Sequence, residues 1–293
     1  MSISSAVVNF ILAHDGRKKF FSDPEKMEKH LEELRIEQSK PYVMPEEWDF
    51  ETTVRVEKFG VHDCYILNEG KERAVMYLHG GSGIHQMLKY HYRFIKKMIK
   101  SEDVTVYLPI YPLAPTYSCK EAYPMLESVY DMILTKHEPS KITVMGDSMG
   151  GNLALSFPMS INGRKDMCGS IVLLSPCLDM SGDHPKTEEY YKREPRLTLY
   201  ELKRCGELWS GERDVHDPIV SPIYGKLEGL PRIALYVGTK ELLLLDAERL
   251  RDRALEEGHE LCYHEWKGMS HVFPVQPIRE AKLVFPDIMA DLA

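Results

Sequence analysis

The sequence predicts an α/β architecture: a central, mostly parallel sheet flanked by helices, with a helical cap. Three observations carry this prediction. First, the apolar runs AVMYLHGG from Ala74, VTVYLPIYP from Val104, ITVMGDS from Ile142 and SIVLLSP from Ser170 do not alternate, and each ends in a turn. Strands buried on both faces read this way. Second, helix-periodic segments separate the runs, with Met87, Tyr90, Phe94 and Met98 after the first and Ala122, Met125, Val129 and Ile133 after the second. Third, strand and helix keep alternating, which favours right-handed crossovers and sites at the carboxyl ends of the strands.

In chain order, residues 1–50 are charged and helix-periodic, with Leu31, Leu34 and Ile36 among Glu and Lys, and close at Pro41 and Pro45. They read as an appended helical cap segment. The apolar stretch Ala6 to Ala13 is broken by Asn9 and has no preceding basic residue, so it reads as a helix and not a signal peptide. TTVRVEKF and VHDCYIL flank Gly60 and predict an antiparallel pair that opens a catalytic domain over residues 51–293. Residues 180–215 carry charge and aromatics but no buried strand, and read as a helical cap insertion. RIALYVGT from Arg232 and LCYHEWKG from Leu261 are two further strands, joined by a helix that closes at Gly258.

Composition narrows the function classes. The 293 residues carry 37 basic and 45 acidic side chains, a formal charge of −8, with no long Lys/Arg run. Nothing in that balance favours nucleic acid or an anionic membrane, and a small molecule is the expected partner. The six cysteines form no C-x-x-C pair, and no histidine cluster has zinc-ligand spacing, so neither a metal, a cofactor nor a disulfide framework is expected. With no run of ~20 apolar residues for a bilayer span, the expectation is a soluble, cytoplasmic protein. Homo-oligomerisation is left open.

The chemistry centres on Gly146-Asp147-Ser148-Met149-Gly150. This is a G-x-S-x-G turn between the strand ITVM and a glycine-started helix, the context that lifts a serine hydroxyl clear of the backbone. A serine hydroxyl is a weak nucleophile and needs a base. His271, in a Gly-Met-Ser-His loop after the last strand, is the candidate; His14, His30 and His137 lie in charged stretches and His264 lies within a strand. Two acids compete to orient the base. Glu241 follows Gly238 at a strand end that can face the same crevice, whereas Asp246 lies inside the next helix, where an acid suits the macrodipole. Strand-end geometry favours Glu241, giving the order Ser148, Glu241, His271. His79-Gly80-Gly81-Ser82-Gly83 follows a strand and can aim amides at a developing oxyanion, with Gly80, Gly81 and Met149 as the expected donors. As a phosphate loop it lacks both G-x-x-x-x-G-K-[ST] and G-x-G-x-x-G.

These stretches resemble the hormone-sensitive-lipase-like branch of the α/β-hydrolases over about residues 70–290. The resemblance rests on HGGSG, Tyr111-Pro112-Leu113-Ala114-Pro115, GDSMGG, Ser221-Pro222 after Asp217-Pro218, GTKE and GMSHVFP. It implies carboxylesterase activity toward short acyl chains, and position by position it implies the same nucleophile, acid, base and oxyanion amides. Ser82 stands for the third glycine of the loop, Thr116 for the usual Glu, Met149 for the common alanine and Glu241 for the commoner aspartate.

The expected substrate is a small-molecule ester, and the expected pH profile falls in acid as the base is protonated. The same triad also suits amides, formamides or carbamates. A non-catalytic binding relative is the rival class, disfavoured because all three triad members are present. Tyr190, Tyr191, Trp209 and Phe10 either line an apolar pocket or, as burial statistics favour, fasten the cap as core residues.

Overall fold

The computed structural model describes residues 2–293. Three helices open the chain: α1 (Ile3–His14), α2 (Arg17–Phe21) and α3 (Pro24–Gln38). The start of α3 is set by Asp23, whose carboxylate accepts the Glu25 and Lys26 amides, and by Pro24 in the first turn. One face of α3 buries Met27, Leu31 and Leu34. Ile36, expected on that face, is 67% exposed because its helical position lies off the Met27-Leu31-Leu34 stripe. The helical run ends at Gln38; the rest of the first fifty residues is irregular chain.

The core of the molecule alternates strand and helix. In order come β1 (Val54–Phe59), β2 (His62–Leu67), β3 (Arg73–Leu78), α4 (Lys89–Ser101), β4 (Val104–Pro109), α5 (Cys119–Leu134), β5 (Ile142–Asp147), α6 (Met149–Ser160) and β6 (Ser170–Leu174). Two helices interrupt the rhythm, α7 (Thr187–Tyr191) and α8 (Leu199–Ser210), before β7 (Arg232–Lys240), α9 (Leu244–Glu257), β8 (Leu261–Ser270) and α10 (Arg279–Ala290) complete the chain. The eight strands run β1-β2-β4-β3-β5-β6-β7-β8. The β1-β2 and β2-β4 pairs are antiparallel, and every other pair is parallel.

The unalternating apolar runs are explained by two cores, one on each face of the sheet. Successive residues of β5 and β6 go to opposite sides: Val144, Ile171 and Leu173 face α5, α6 and α9, whereas Met145, Val172 and Leu174 face α4 and α10. Strand order reverses between β3 and β5, since the chain leaves β3 toward β4 and returns on the other side to β5. Such a reversal opens a crevice at the carboxyl ends of the two strands. The loops after β3 and β5 are the ones that carry His79-Gly80-Gly81-Ser82 and Ser148.

The early helices and the 180–215 segment meet above this crevice. Arg17 of α2 forms a two-pronged ion pair with Glu201 of α8, at 2.6 and 2.9 Å. Thr198, the N-cap of α8, donates its hydroxyl to the Phe21 carbonyl at 3.0 Å.

Candidate active site

Ser148 joins β5 to α6 with φ 54° and ψ −118°, a conformation rarely adopted by a residue bearing a side chain. The turn survives because its surroundings leave no alternative. A Cβ on Gly150 would sit 1.9 Å from the Leu78 carbonyl oxygen, and one on Gly146 would sit 2.1 Å from the Gly150 oxygen. The Ser148 amide donates to the Leu174 carbonyl, and its own carbonyl accepts from Asn152 and Cys177. The hydroxyl is thus presented at the centre of the sheet, half-buried.

The loop after β8 brings His271 to it. His271 Nε2 lies 2.9 Å from Ser148 Oγ, and Nδ1 lies 2.8 Å from Glu241 Oε2. Glu241 is fully buried; its second oxygen accepts from the Gly238 amide at 2.6 Å and the Ser175 hydroxyl at 2.9 Å. Asp246, the competing acid, belongs elsewhere. It accepts from the Asp179 amide and from Arg249, both at 3.1 Å. Burial and the neighbouring Asp179 charge push its carboxyl up to about 7.

The glycine loop departs from the expected arrangement at one position. The Gly80 amide does not face the crevice, because it donates to Asp147 Oδ1 at 3.1 Å. Its single N–H is therefore committed to the strand below. The amides of Gly81, Ser82 and Met149 have no acceptor within the chain among the described residues. Asp147 is a hub that also accepts from the Tyr77 hydroxyl at 2.8 Å and contacts His91 Nε2 at 3.1 Å. Burial works to raise its pKa, yet the His91 ring and the Tyr77 and Gly80 donors hold it below the ordinary carboxylate value. His79 stacks on Tyr111 with ring centres 4.6 Å apart, and burial, reinforced by His91, depresses its pKa to about 4.

Several residues at the site carried no recognisable sequence signal. Ser175, at φ 46°, donates to Glu241 and accepts from the Val272 amide at 3.0 Å, so one hydroxyl links the acid to the histidine loop. Its only trace in the sequence is a Ser-Pro step after a strand. Glu201 accepts from the Ser82 hydroxyl at 2.9 Å as well as from Arg17, fastening the glycine loop to α8 and α2. Where the resemblance leads one to expect Glu, the Thr116 amide donates to Gln38 Oε1, and the Gln38 amide group donates to the Ile84 and Ala114 carbonyls. A glutamine from α3 thereby anchors the loops beneath the site.

Two cavities flank Ser148. One, of about 30 Å³, is walled by Met149, Cys177, Met180, Leu197, Leu242 and neighbouring side chains. The other, of about 170 Å³, includes His271, Tyr90, Arg17, His85 and Arg196. None of the aromatics considered from sequence lines either cavity. Trp209 and Tyr190 are buried core residues, Tyr191 packs at the core margin, and Phe10 is 65% exposed. Among the described residues no His/Cys/Asp/Glu group is arranged to hold a metal, and no helix is long and apolar enough to cross a membrane.

Comparison with known proteins agrees with this architecture. An esterase of Acinetobacter venetianus is 28% identical over 219 residues, covering 73% of this chain and 72% of the relative. An acetyl-hydrolase of Streptomyces hygroscopicus is 28% identical over 211 residues, covering 70% and 71%. The crystal structure of the HSL-homolog EstE7, from a metagenome library, shares the fold at 22% identity, with a TM-score of 0.79 over 99% of this chain and 98% of that one. Residues 75–275 match the family described as alpha/beta hydrolase fold, and the chain belongs to that family.

Proposed function

We propose that Ser148, His271 and Glu241 are the nucleophile, the base and the orienting acid of a carboxylesterase that hydrolyses esters of small acyl groups through an acyl-enzyme. That the chain is a carboxylesterase-type hydrolase follows from its family and from relatives that carry the names esterase and acetyl-hydrolase. The roles of the three residues are supported by one observation above all: an unbroken chain of contacts, 2.9 Å from Ser148 Oγ to His271 and 2.8 Å from His271 to Glu241. Glu241 fixes the tautomer of the ring and stabilises the imidazolium that forms.

In the first half-reaction His271 Nε2 takes the Ser148 proton as Oγ attacks the ester carbonyl. The carbonyl oxygen becomes an alkoxide, held by the free amides of Gly81, Ser82 and Met149. On collapse the C–O bond to the alcohol breaks and His271 returns the proton to the departing oxygen. Water then adds to the acyl-enzyme with His271 again as base, releasing the acid and restoring Ser148.

The two cavities divide the substrate. The imidazole must reach the leaving oxygen, so the alcohol lies in the cavity that contains His271 and the acyl group lies in the apolar one beside Met149. The acyl cavity is the smaller of the two, about 30 Å³ against about 170 Å³, and its apolar walls of Met149, Cys177, Met180 and Leu197 favour a small acyl group. Hydrolysis of aryl esters across an acyl-length series tests the reading. Ser148→Ala, folded by circular dichroism, is expected to lose at least about 1,000-fold in kcat. Wild type is expected to prefer acetyl and propionyl esters to octanoyl esters. Turnover that persists in Ser148→Ala would remove the proposed nucleophile.

A further inference from the structure

The leaving-group cavity is lined by two arginines, Arg17 and Arg196, and by no Asp or Glu, in a chain whose net charge is −8. The two arginines differ in what they do. Arg17 is neutralised by Glu201 through both of its terminal nitrogens. Arg196 makes no side-chain ion pair or hydrogen bond among the described residues, although its main chain is firmly held. Its amide donates to Glu194 Oε1 at 2.7 Å, and its carbonyl accepts from Arg17 Nη1 at 3.3 Å. Tyr90 lines the same cavity, and its hydroxyl has no partner there. Burial, reinforced by the Asp147 carboxylate, raises the Tyr90 phenol, while the charges of Arg196 and Arg17, which line the same cavity, act in the opposite direction.

A half-buried guanidinium without a counter-ion, held by its backbone beside a hydroxyl donor, is a natural receptor for a planar anion. Arginine binds carboxylates through two parallel N–H bonds, and the absence of competing carboxylates in the cavity leaves that geometry free. We propose that Arg196, assisted by the Tyr90 hydroxyl, binds a carboxylate carried by the alcohol part of the substrate, so that the enzyme selects acyl esters of hydroxy acids over neutral esters of the same size. This rests on the esterase reading of Ser148 and on the placement of the leaving group beside His271. It gives the overall acidity of the chain no vote, because a local cation inside a walled cavity dominates the field felt by a bound group.

The test compares two acetate esters of nearly equal size, that of 4-hydroxybenzoic acid and that of its methyl ester. Both are assayed with wild type, Arg196→Met and Arg196→Lys, with Ser148→Ala as background. Wild type is expected to show a higher kcat/KM for the free acid than for the methyl ester, with the advantage shrinking at high salt. In Arg196→Met the ratio of the two values is expected to fall about 10- to 100-fold, as for loss of a charged hydrogen bond, and Arg196→Lys is expected to restore part of it. Free 4-hydroxybenzoate is expected to compete with substrate in wild type and to lose that competition in Arg196→Met, a readout that does not depend on turnover of the anionic ester. Equal kcat/KM for the two esters in wild type, or an unchanged ratio in Arg196→Met, overturns the anion site and leaves the esterase reading intact. Absence of Ser148-dependent turnover of either ester overturns both.

Discussion

Ser148 and its neighbours show how single atoms set the chemistry. The left-handed serine stands only because Gly146 and Gly150 let two backbones meet, so Gly150→Ala, with its Cβ 1.9 Å from the Leu78 oxygen, must displace β3 or α6. It is expected to cost more than the about 1–3 kcal/mol of ordinary overpacking and to abolish labelling of Ser148 by an organophosphate. Glu241 and Asp246 are both buried acids near the end of β7, but only Glu241 reaches His271. Glu241→Ala is expected to lower kcat by on the order of 1,000-fold or more, and Asp246→Ala to leave it within about threefold, measured in one aryl-ester assay. Ser175→Ala removes the hydroxyl shared by Glu241 and the Val272 amide. A roughly tenfold drop in kcat with little change in KM is expected, since the loss falls on orientation of the proposed triad and not on substrate contact.

Between elements, the decisive link is the one from α2 through α8 to the glycine loop. The Arg17–Glu201 pair leaves only 18% and 2% of the two side chains exposed, and Glu201 also holds the Ser82 hydroxyl. Removing Arg17 strands a buried carboxylate: Arg17→Met is expected to cost about 3 kcal/mol, read from the urea midpoint. The double variant Arg17→Met/Glu201→Met is expected to recover most of that loss, because no charge is left uncompensated. Met149, at the start of α6, forms part of the wall of the proposed acyl cavity. Met149→Ala keeps the backbone amide, so the relative kcat/KM for butyryl over acetyl esters is expected to rise; an unchanged acyl-length preference would place the acyl group elsewhere. The strands and the helices between them were legible from sequence because burial on both faces leaves continuous apolar runs. The link between α2, α8 and the glycine loop was not, since its partners are 184 and 119 residues apart and each reads locally as an ordinary surface charge or hydroxyl.

Over the whole molecule, protonation of the buried Asp246 couples stability to pH. Its folded-state pKa of about 7 lies above the value of about 3.9 expected in the unfolded chain, so between these values the folded state binds more protons. Stability attributable to this group therefore falls as pH rises from about 4 to about 7, and Asp246→Asn is expected to flatten that part of the melting temperature against pH. A wild-type and variant difference that does not change between pH 5 and 8 would contradict it. By itself the sequence determined the strand-helix alternation, the tight turn at Ser148 and the order of the three candidate site residues, because strand burial and tight turns leave local marks in residue type and spacing. It did not determine which glycine-loop amides are free, that Ser175 braces the acid, or that one of two cavity arginines lacks a counter-ion. Those depend on hydrogen bonds and charges that reach across the fold, and a single N–H or guanidinium commits to one partner only when the tertiary structure has put that partner within reach.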